Sequence, residues 1–120
     1  MAARSNELGN LVAFVDRNRQ LMTSFAEERV VFEPYPDKWA AFGWNVLHVD
    51  GHDMGELVEA IDALPATDSD RPTVVICETI KGKGVDFMEH NLAWHAGSLG
   101  AADLERAMAS LQASREKESV

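Results

Sequence analysis

The chain has 120 residues, enough for one small domain. Its 11 Lys and Arg against 20 Asp and Glu give a net charge of −9, which argues against a nucleic-acid or anionic-membrane surface. A single cysteine excludes an internal disulfide. No apolar run approaches the ~20 residues of a membrane span, and the N-terminus lacks the apolar block of a secretory signal, so a cytoplasmic location is expected.

Three short apolar runs predict β-strands at residues 11–15, 45–49 and 73–77. Continuous runs rich in β-branched residues are typical of a parallel sheet covered on both faces. Polar residues follow each run: Asp16 and Asn18, Asp50 and His52, Thr79 and Lys81. In open α/β sheets, ligands bind beyond the carboxyl ends of the strands, so these residues are expected near a binding site.

Helical signals separate the runs. Residues 37–42 predict a short helix that ends at Gly43. Asp53 and Glu56 have capping-box spacing before a second helix, which Pro65 ends. A last helix places Leu104, Ala107, Met108 and Leu111 on one face, and residues 20–35 are interpreted as a long functional or partner-binding loop.

The alternation of strands and helices predicts a three-layer α/β/α fold with a mostly parallel sheet. We expect one partial domain over residues 1–113 and a charged, fraying tail over residues 114–120. Three strands make a small sheet with uncovered edges. A partner chain is therefore expected at the sheet edge near residues 1–15 and at the apolar face of residues 39–44.

Residues 11–18 resemble the thiamine-diphosphate motif of transketolases, in which a buried strand delivers a metal-binding asparagine. The next family segments resemble residues 37–44, 49–53, 72–85, 87–89 and 94–95. Each motif is weak alone, but their order and spacing agree over nearly the whole chain. The resemblance is to the second half of the pyrophosphate-binding domain, as in the N-terminal subunits of split transketolases.

The resemblance implies a partial thiamine-diphosphate-binding fold and a set of site residues. The side-chain oxygen of Asn18 and the backbone carbonyl of Gln20 would bind Mg²⁺, which prefers hard oxygen ligands. Lys81 would contact thiamine diphosphate from a glycine-flanked turn. His95 would bind near the diphosphate and act as a catalytic residue, which suits a group that titrates near neutrality.

The chain departs from the family pattern in ways that matter for function. No Gly-Asp-Gly, which carries the acidic metal ligand in the family, occurs in the sequence, and neither does the glutamate-bearing pyrimidine domain. Thr23, Ser24 and Ala26 replace the usual loop residues, and Ala96 replaces the glycine after the histidine. The resemblance therefore implies a transferase subunit that is inactive alone. Partner chains would supply the Gly-Asp-Gly half and the pyrimidine domain, and the substrate would be a small keto compound or sugar.

Each candidate residue also has an ordinary structural explanation. Asn18 could end a strand, Lys81 could be a surface lysine, and His95 beside Trp94 could be a packed, hydrogen-bonded histidine. Other residues are interpreted structurally: Asp50 as a strand-end acceptor and His52 as part of a turn. His48 is interpreted as a structural residue with a satisfied hydrogen bond inside a strand, and Cys77 as a small apolar core residue. Three basic residues could favour a phosphate locally in this acidic chain: Arg17, Arg19 and Lys81.

The function also has alternatives. The first hypothesis is a component of a fragmented transketolase-like enzyme that transfers a two-carbon ketol unit or catalyses a related acyloin step. The second is a non-catalytic scaffold or regulatory module derived from a transketolase domain. The third is a decayed fragment of a longer transketolase, against which the intact capping signals weigh.

Overall fold

The structure is a computed structural model that describes residues 1–21, 24, 31–66 and 69–118, with side chains as far as Glu116. Half of the predicted loop over residues 20–35, including Thr23 and Ala26, lies outside the described residues. The chain divides into two compact units. The first comprises Met1–Asn18 and Val30–Thr79, and the second comprises Arg19–Arg29 and Ile80–Val120.

The first unit contains a parallel three-stranded sheet. Its elements in chain order are α1 (Ala2–Ser5), β1 (Val12–Arg17), α2 (Tyr35–Ala41), β2 (Asn45–Asp50), α3 (Met54–Asp62) and β3 (Thr73–Glu78). The strand order is β1-β3-β2, and Phe14 of β1 and Leu47 of β2 flank Val75 of β3. The predicted α/β class and parallel sheet are confirmed, and each predicted strand continues by at least one polar residue.

Central strand β3 divides the core between the two faces of the sheet. Side chains alternate along a strand, so Val74 and Ile76 share one face, while Val75 and Cys77 share the other. The first pair packs with Trp44 and with residues of α1, α2, β1 and β2: Ala3, Ala13, Val15, Tyr35, Trp39 and Val46. The second pair packs with Ala60 of α3, and around it lie Val12, Leu47, Val49, Leu57 and Leu64. The three layers of the predicted fold are thus present in this unit.

At α2 and just after it, Trp39 and Trp44 pack in the core against the sheet. The rings of Trp39 and Trp44 meet edge to face, with centroids 5.0 Å apart, whereas Phe42 is half exposed. The helix ends before Gly43, whose φ of 82° lies in the left-handed region that glycine adopts without strain.

Helix α3 begins at the predicted cap, but the capping box is altered. Asp53 Oδ1 accepts hydrogen bonds from the amides of Gly55 and Glu56, at 2.7 and 3.1 Å. In a capping box, Glu56 would accept a bond from the Asp53 amide. Its carboxylate instead accepts one from the amide of Asp50, at 2.7 Å, and so ties the helix to the end of β2.

The second unit carries a glycine turn, the 3-10 helix Leu92–His95 and α4 (Ala101–Glu118). On the predicted apolar face of α4 only Ala107 is buried, and Leu104, Met108 and Leu111 remain exposed. The boundary predicted at Ser114 does not coincide with the end of the helix, because α4 continues to Glu118. None of the described helices is long and apolar enough to cross a bilayer.

Candidate functional site

The carboxyl ends of the three strands bring their polar residues together in the first unit, as the sequence predicts. The Thr79 hydroxyl donates a hydrogen bond to the Asp16 carboxylate, linking the ends of β3 and β1. The Gly51 amide donates to the carbonyl of Glu78 at 2.8 Å, which links β2 to β3. Parallel strands in register place these ends side by side, so the contacts follow from the sheet itself.

Two residues at the end of β2, Asp50 and His52, have the structural roles predicted for them. The His52 amide donates to Asp50 Oδ1 at 2.8 Å, so Asp50 is the acceptor at the strand end and His52 belongs to the turn. Gly51 between them is closely packed. A Cβ there would lie 2.9 Å from Cβ of Cys77 and 3.0 Å from the carbonyl oxygen of Glu78, so the turn requires glycine.

Arg17 is at the centre of an ionic cluster that the sequence does not reveal. Its guanidinium pairs with the carboxylates of Glu78 and Glu33 and lies 5.4 Å from the ring centroid of Tyr35. His48 Nε2 lies 3.0 Å from Glu78 Oε1. The Arg17 side chain is only 11% exposed. The interpretation of Arg17 as a local attraction for phosphate is therefore wrong, because two carboxylates within the unit neutralise its charge.

Cys77 is the titratable group with a resolved pKa shift among the described residues. Burial raises the pKa of its thiol above the ordinary value of 9.0, and the nearby Asp16 carboxylate raises it further. The Sγ atom lies 3.8 Å from the carbonyl oxygen of Val75 on the same strand. Both causes favour the neutral thiol, which agrees with the predicted role of a small core residue.

Lys81 lies in the second unit on a tight turn that glycine makes possible. Gly82 and Gly84 have φ values of 77° and 89°. A Cβ on Gly82 would lie 2.8 Å from the backbone carbon and oxygen of Met88. The amide of Gly84 donates to Glu89 Oε1 at 2.8 Å. The glycines of this motif are thus required by the turn and its packing, whether or not a ligand approaches.

His95 ends the 3-10 helix, whose first turn is capped by Asn91. Asn91 Oδ1 accepts a hydrogen bond from the amide of Ala93 at 3.0 Å. Lys81 Nζ donates to the carbonyl of Trp94 at 2.8 Å, and His95 itself is exposed. Two of the predicted site residues, Lys81 and His95, are therefore brought close together, because Lys81 binds the carbonyl of the residue that precedes His95.

The predicted metal ligands belong to different units. Asn18 follows β1 at the end of the first unit, and Gln20 belongs to the second. Both are half buried. Their joint role as Mg²⁺ ligands stays a prediction. In the part of the chain that the structure describes, no group of three or more His, Cys, Asp or Glu residues could hold a metal ion.

Sequence reasoning missed residues that support the Lys81 turn from α4. The Ser110 hydroxyl donates to the carbonyl of Gly84 and accepts from the amide of Asp86, both at 3.0 Å. The Arg106 guanidinium lies 4.4 Å from the ring centroid of Phe87. The helical period of α4 is readable, but these pairings are separated by 19 to 26 residues and no local motif signals them.

A parallel sheet with polar residues at the carboxyl ends of its strands is typical of open α/β domains, which bind ligands at that edge of the sheet. The family model described as the thiamine diphosphate binding domain of transketolase matches residues 1–118. The chain belongs to this transketolase family.

Two relatives are named as subunits of transketolases. Over 108 residues the chain is 38% identical to one of the subunits of the apulose-4-phosphate transketolase of Phocaeicola vulgatus, in an alignment that covers 90% of this chain and 38% of that protein. Over 112 residues it is 37% identical to the 6-deoxy-6-sulfo-D-fructose transketolase subunit SqwG of a Clostridium species. This alignment covers 93% of this chain and 40% of that protein. The chain thus spans about two fifths of the length of these relatives.

The fold is also that of solved transketolases. The transketolase of Campylobacter jejuni superposes with a TM-score of 0.78 at 24% identity, over 92% of this chain and 18% of that one. A variant transketolase from Pichia stipitis superposes with a TM-score of 0.77 at 23% identity, over 92% and 17%. These superpositions agree with the predicted resemblance to part of a transketolase domain.

Proposed function

We propose that the chain is a subunit of a thiamine-diphosphate- and Mg²⁺-dependent enzyme that transfers a two-carbon ketol unit or catalyses a related acyloin step. The observation that carries the proposal is the match of the transketolase thiamine diphosphate binding domain over residues 1–118. It is supported by relatives whose names place them in multi-subunit transketolases acting on a phosphorylated or a sulfonated sugar. The substrate is accordingly a small keto sugar bearing an anionic group.

The donor chemistry of the chain fits the metal part of this site. The Asn18 side-chain oxygen and the Gln20 carbonyl are hard, neutral ligands of the kind that Mg²⁺ accepts. The described residues offer no acidic cluster for a metal, and the sequence has no Gly-Asp-Gly. We propose that further sequence, of this polypeptide or of a partner chain, supplies the acidic ligand.

The remaining site residues have complementary roles. When bound, thiamine diphosphate supplies a thiazolium carbon that carries the ketol fragment between donor and acceptor. Lys81 provides positive charge beside the turn of Gly82 and Gly84, where its charge offsets that of a diphosphate. His95, exposed and flanked by the ordered Trp94, can donate a hydrogen bond to a substrate oxygen or move a proton at a ring nitrogen.

Uncovered apolar surface of the first unit supports a partner chain. Strand β1 is at the edge of the described sheet, and its Phe14 is 53% exposed on the face that α3 covers over the neighbouring strands. Leu8 and Leu11, which precede the strand, are also exposed. An exposed edge strand with apolar side chains is a site at which further chain would pack. The proposed partner therefore contacts the sheet edge near residues 1–15.

The second candidate is a scaffold that keeps the fold without taking part in turnover. The absence of Gly-Asp-Gly from the sequence and the engagement of Arg17 by Glu33 and Glu78 favour it. The presence of Asn18, Lys81 and His95 at family positions favours the enzyme subunit instead.

Purification of the chain with the proteins that bind it in its native cells separates the two candidates. The complex is assayed for ketol transfer between a keto sugar and an aldehyde, with and without this chain. The enzyme proposal predicts activity that disappears when the chain is omitted and returns when it is added back. Undiminished activity without the chain would establish the scaffold.

A further inference from the structure

In the second unit, a hydrogen bond links Lys81 to the residue that precedes His95. Lys81 Nζ donates a hydrogen bond to the carbonyl oxygen of Trp94, at 2.8 Å, across 13 positions in the chain. Trp94 directly precedes His95, the last residue of the 3-10 helix. A charged donor makes this a strong type of hydrogen bond, and its site is partly buried, where solvent competes less.

The Trp94 ring is held independently of its carbonyl. It packs on the ring of Phe87, with centroids 5.3 Å apart. The Arg106 guanidinium in turn lies over the Phe87 ring. Gly97 leaves room for it, since a Cβ there would lie 2.6 Å from Trp94 Cε3. The side chain of Trp94 is thus fixed by rings, and its backbone by Lys81.

His95 has no comparable support of its own. Its side chain is exposed, and none of the described side chains forms a hydrogen bond with its imidazole. The direction of the imidazole therefore depends on the backbone at residues 94–95. The bond from Lys81 is the side-chain contact that holds this backbone to the glycine turn.

We propose that Lys81 is a positioning residue that orients His95 by holding the Trp94 carbonyl before any cofactor binds. The significance of this orientation rests on the proposed function, in which His95 faces the substrate. The bond occupies one of the three ammonium protons, so Lys81 retains charge and donors for a ligand. The proposal differs from direct cofactor contact because it assigns Lys81 a task in the free chain.

The test uses the full chain without thiamine diphosphate or metal, labelled for NMR. The ring signal of His95 is assigned with His95→Gln, and hydrogen exchange is measured at the Trp94 amide, which donates to the Asn91 carbonyl at 3.2 Å. Lys81→Met is expected to shift the His95 ring signal and to speed exchange at Trp94 about tenfold, the effect of losing a charge-assisted bond. Lys81→Arg, which can donate to the same carbonyl, is expected to restore both.

Lys83→Met is the matched control, because Lys83 is an exposed lysine on the same turn. It is expected to leave both signals as in the unmodified chain. The proposal is overturned if Lys81→Met also leaves them unchanged, or if Lys81→Arg and Lys81→Met behave alike.

A second measurement requires no substitution. A scalar coupling across the bond between the Lys81 Nζ nitrogen and the Trp94 carbonyl carbon is expected in the unmodified chain, and its absence would overturn the proposal. Because both measurements omit the cofactor, their outcome is independent of thiamine diphosphate binding. A failure of the proposed function in the assembled complex would likewise leave them intact.

Discussion

Cys77 combines burial on the central strand with a neighbouring negative charge from Asp16. Both raise its pKa above 9.0 in the folded chain, so the unfolded chain loses the thiol proton first as pH increases. Above the ordinary pKa the folded state binds more protons than the unfolded state. The stability that the neutral thiol contributes is present below pH 9.0 and is lost as pH rises through the folded pKa.

We therefore predict that Cys77→Val reduces the decrease in the free energy of unfolding at alkaline pH. The free energy of unfolding, measured in urea between neutral pH and pH 10, should fall less steeply for the variant than for the unmodified chain, because Val has no ionisable proton. Equal slopes for the two proteins would show that Cys77 does not contribute to the alkaline loss.

Gly82 has two separate reasons to be glycine. Its φ of 77° costs a side-chain-bearing residue about 1 kcal/mol or more, and a Cβ would meet the Met88 backbone at 2.8 Å. Gly82→Ala is predicted to lower the free energy of unfolding by about 1–3 kcal/mol, because the backbone of Met88 must move. Thermal and urea unfolding measure the change.

Gly100→Ala provides the control for Gly82. A Cβ at Gly100 would come no closer than 3.5 Å to Asp103 Oδ2, which is ordinary contact. This variant should stay within about 0.5 kcal/mol of the unmodified chain. Comparable losses for the two variants would mean that the geometry of the Lys81 turn is not what requires glycine.

The stability of helix α3, which has only nine residues, depends on the cap at its start. Asp53 accepts two amide hydrogen bonds at the helix start. We predict that Asp53→Ala lowers the free energy of unfolding by about 1 kcal/mol. Urea unfolding followed by circular dichroism measures the loss.

Asp62→Ala is the contrasting change at the other end of the same helix. An acidic residue near a helix C-terminus opposes the helix dipole, so its removal should be neutral or slightly stabilising. If removal of Asp53 costs no more than removal of Asp62, the cap does not determine the stability of α3.

At the scale of elements, local signals predicted the three strands and the start of α3, whereas α2 begins at Tyr35, two residues before the predicted start. Contacts across the sheet had no local signal in the sequence. Uninterrupted β-branched runs identify β1 and β3, and Asp53 with Glu56 identifies the start of α3. The order β1-β3-β2 places Arg17 beside Glu78, and nothing in the linear spacing of these residues signals that pairing. The ion pair between Arg17 and Glu33 likewise has no signal in the linear sequence.

The exposed face of α4 shows a different limit of periodicity. The spacing of Leu104, Met108 and Leu111 correctly indicates a shared face, but a period does not say what covers that face. Only Ala107 is buried on it among the described residues. The candidate site shows the same limit. The order of the motifs agrees with the placement of Lys81 near His95, but nothing in the sequence signals the hydrogen bond from Lys81 to the carbonyl of Trp94.

The molecule as a whole corresponds to one part of the relatives that it matches. It spans about two fifths of the length of two relatives named as subunits. Its sheet has an exposed apolar edge strand, and its sequence lacks the acidic metal motif of the family. With a net charge of −9, binding of the anionic cofactor proposed above would depend on local positive groups.

Titration of the native complex with thiamine diphosphate in the presence of Mg²⁺ tests the central claim most directly. The complex with the unmodified chain should bind the cofactor, and Asn18→Ala should weaken binding at least tenfold, because the metal loses an oxygen ligand. Asn10→Ala, an exposed change just before β1, serves as the control and should have no effect. A complex that binds no cofactor, or one whose affinity Asn18→Ala leaves unchanged, would contradict the assignment of this chain to the diphosphate and metal site.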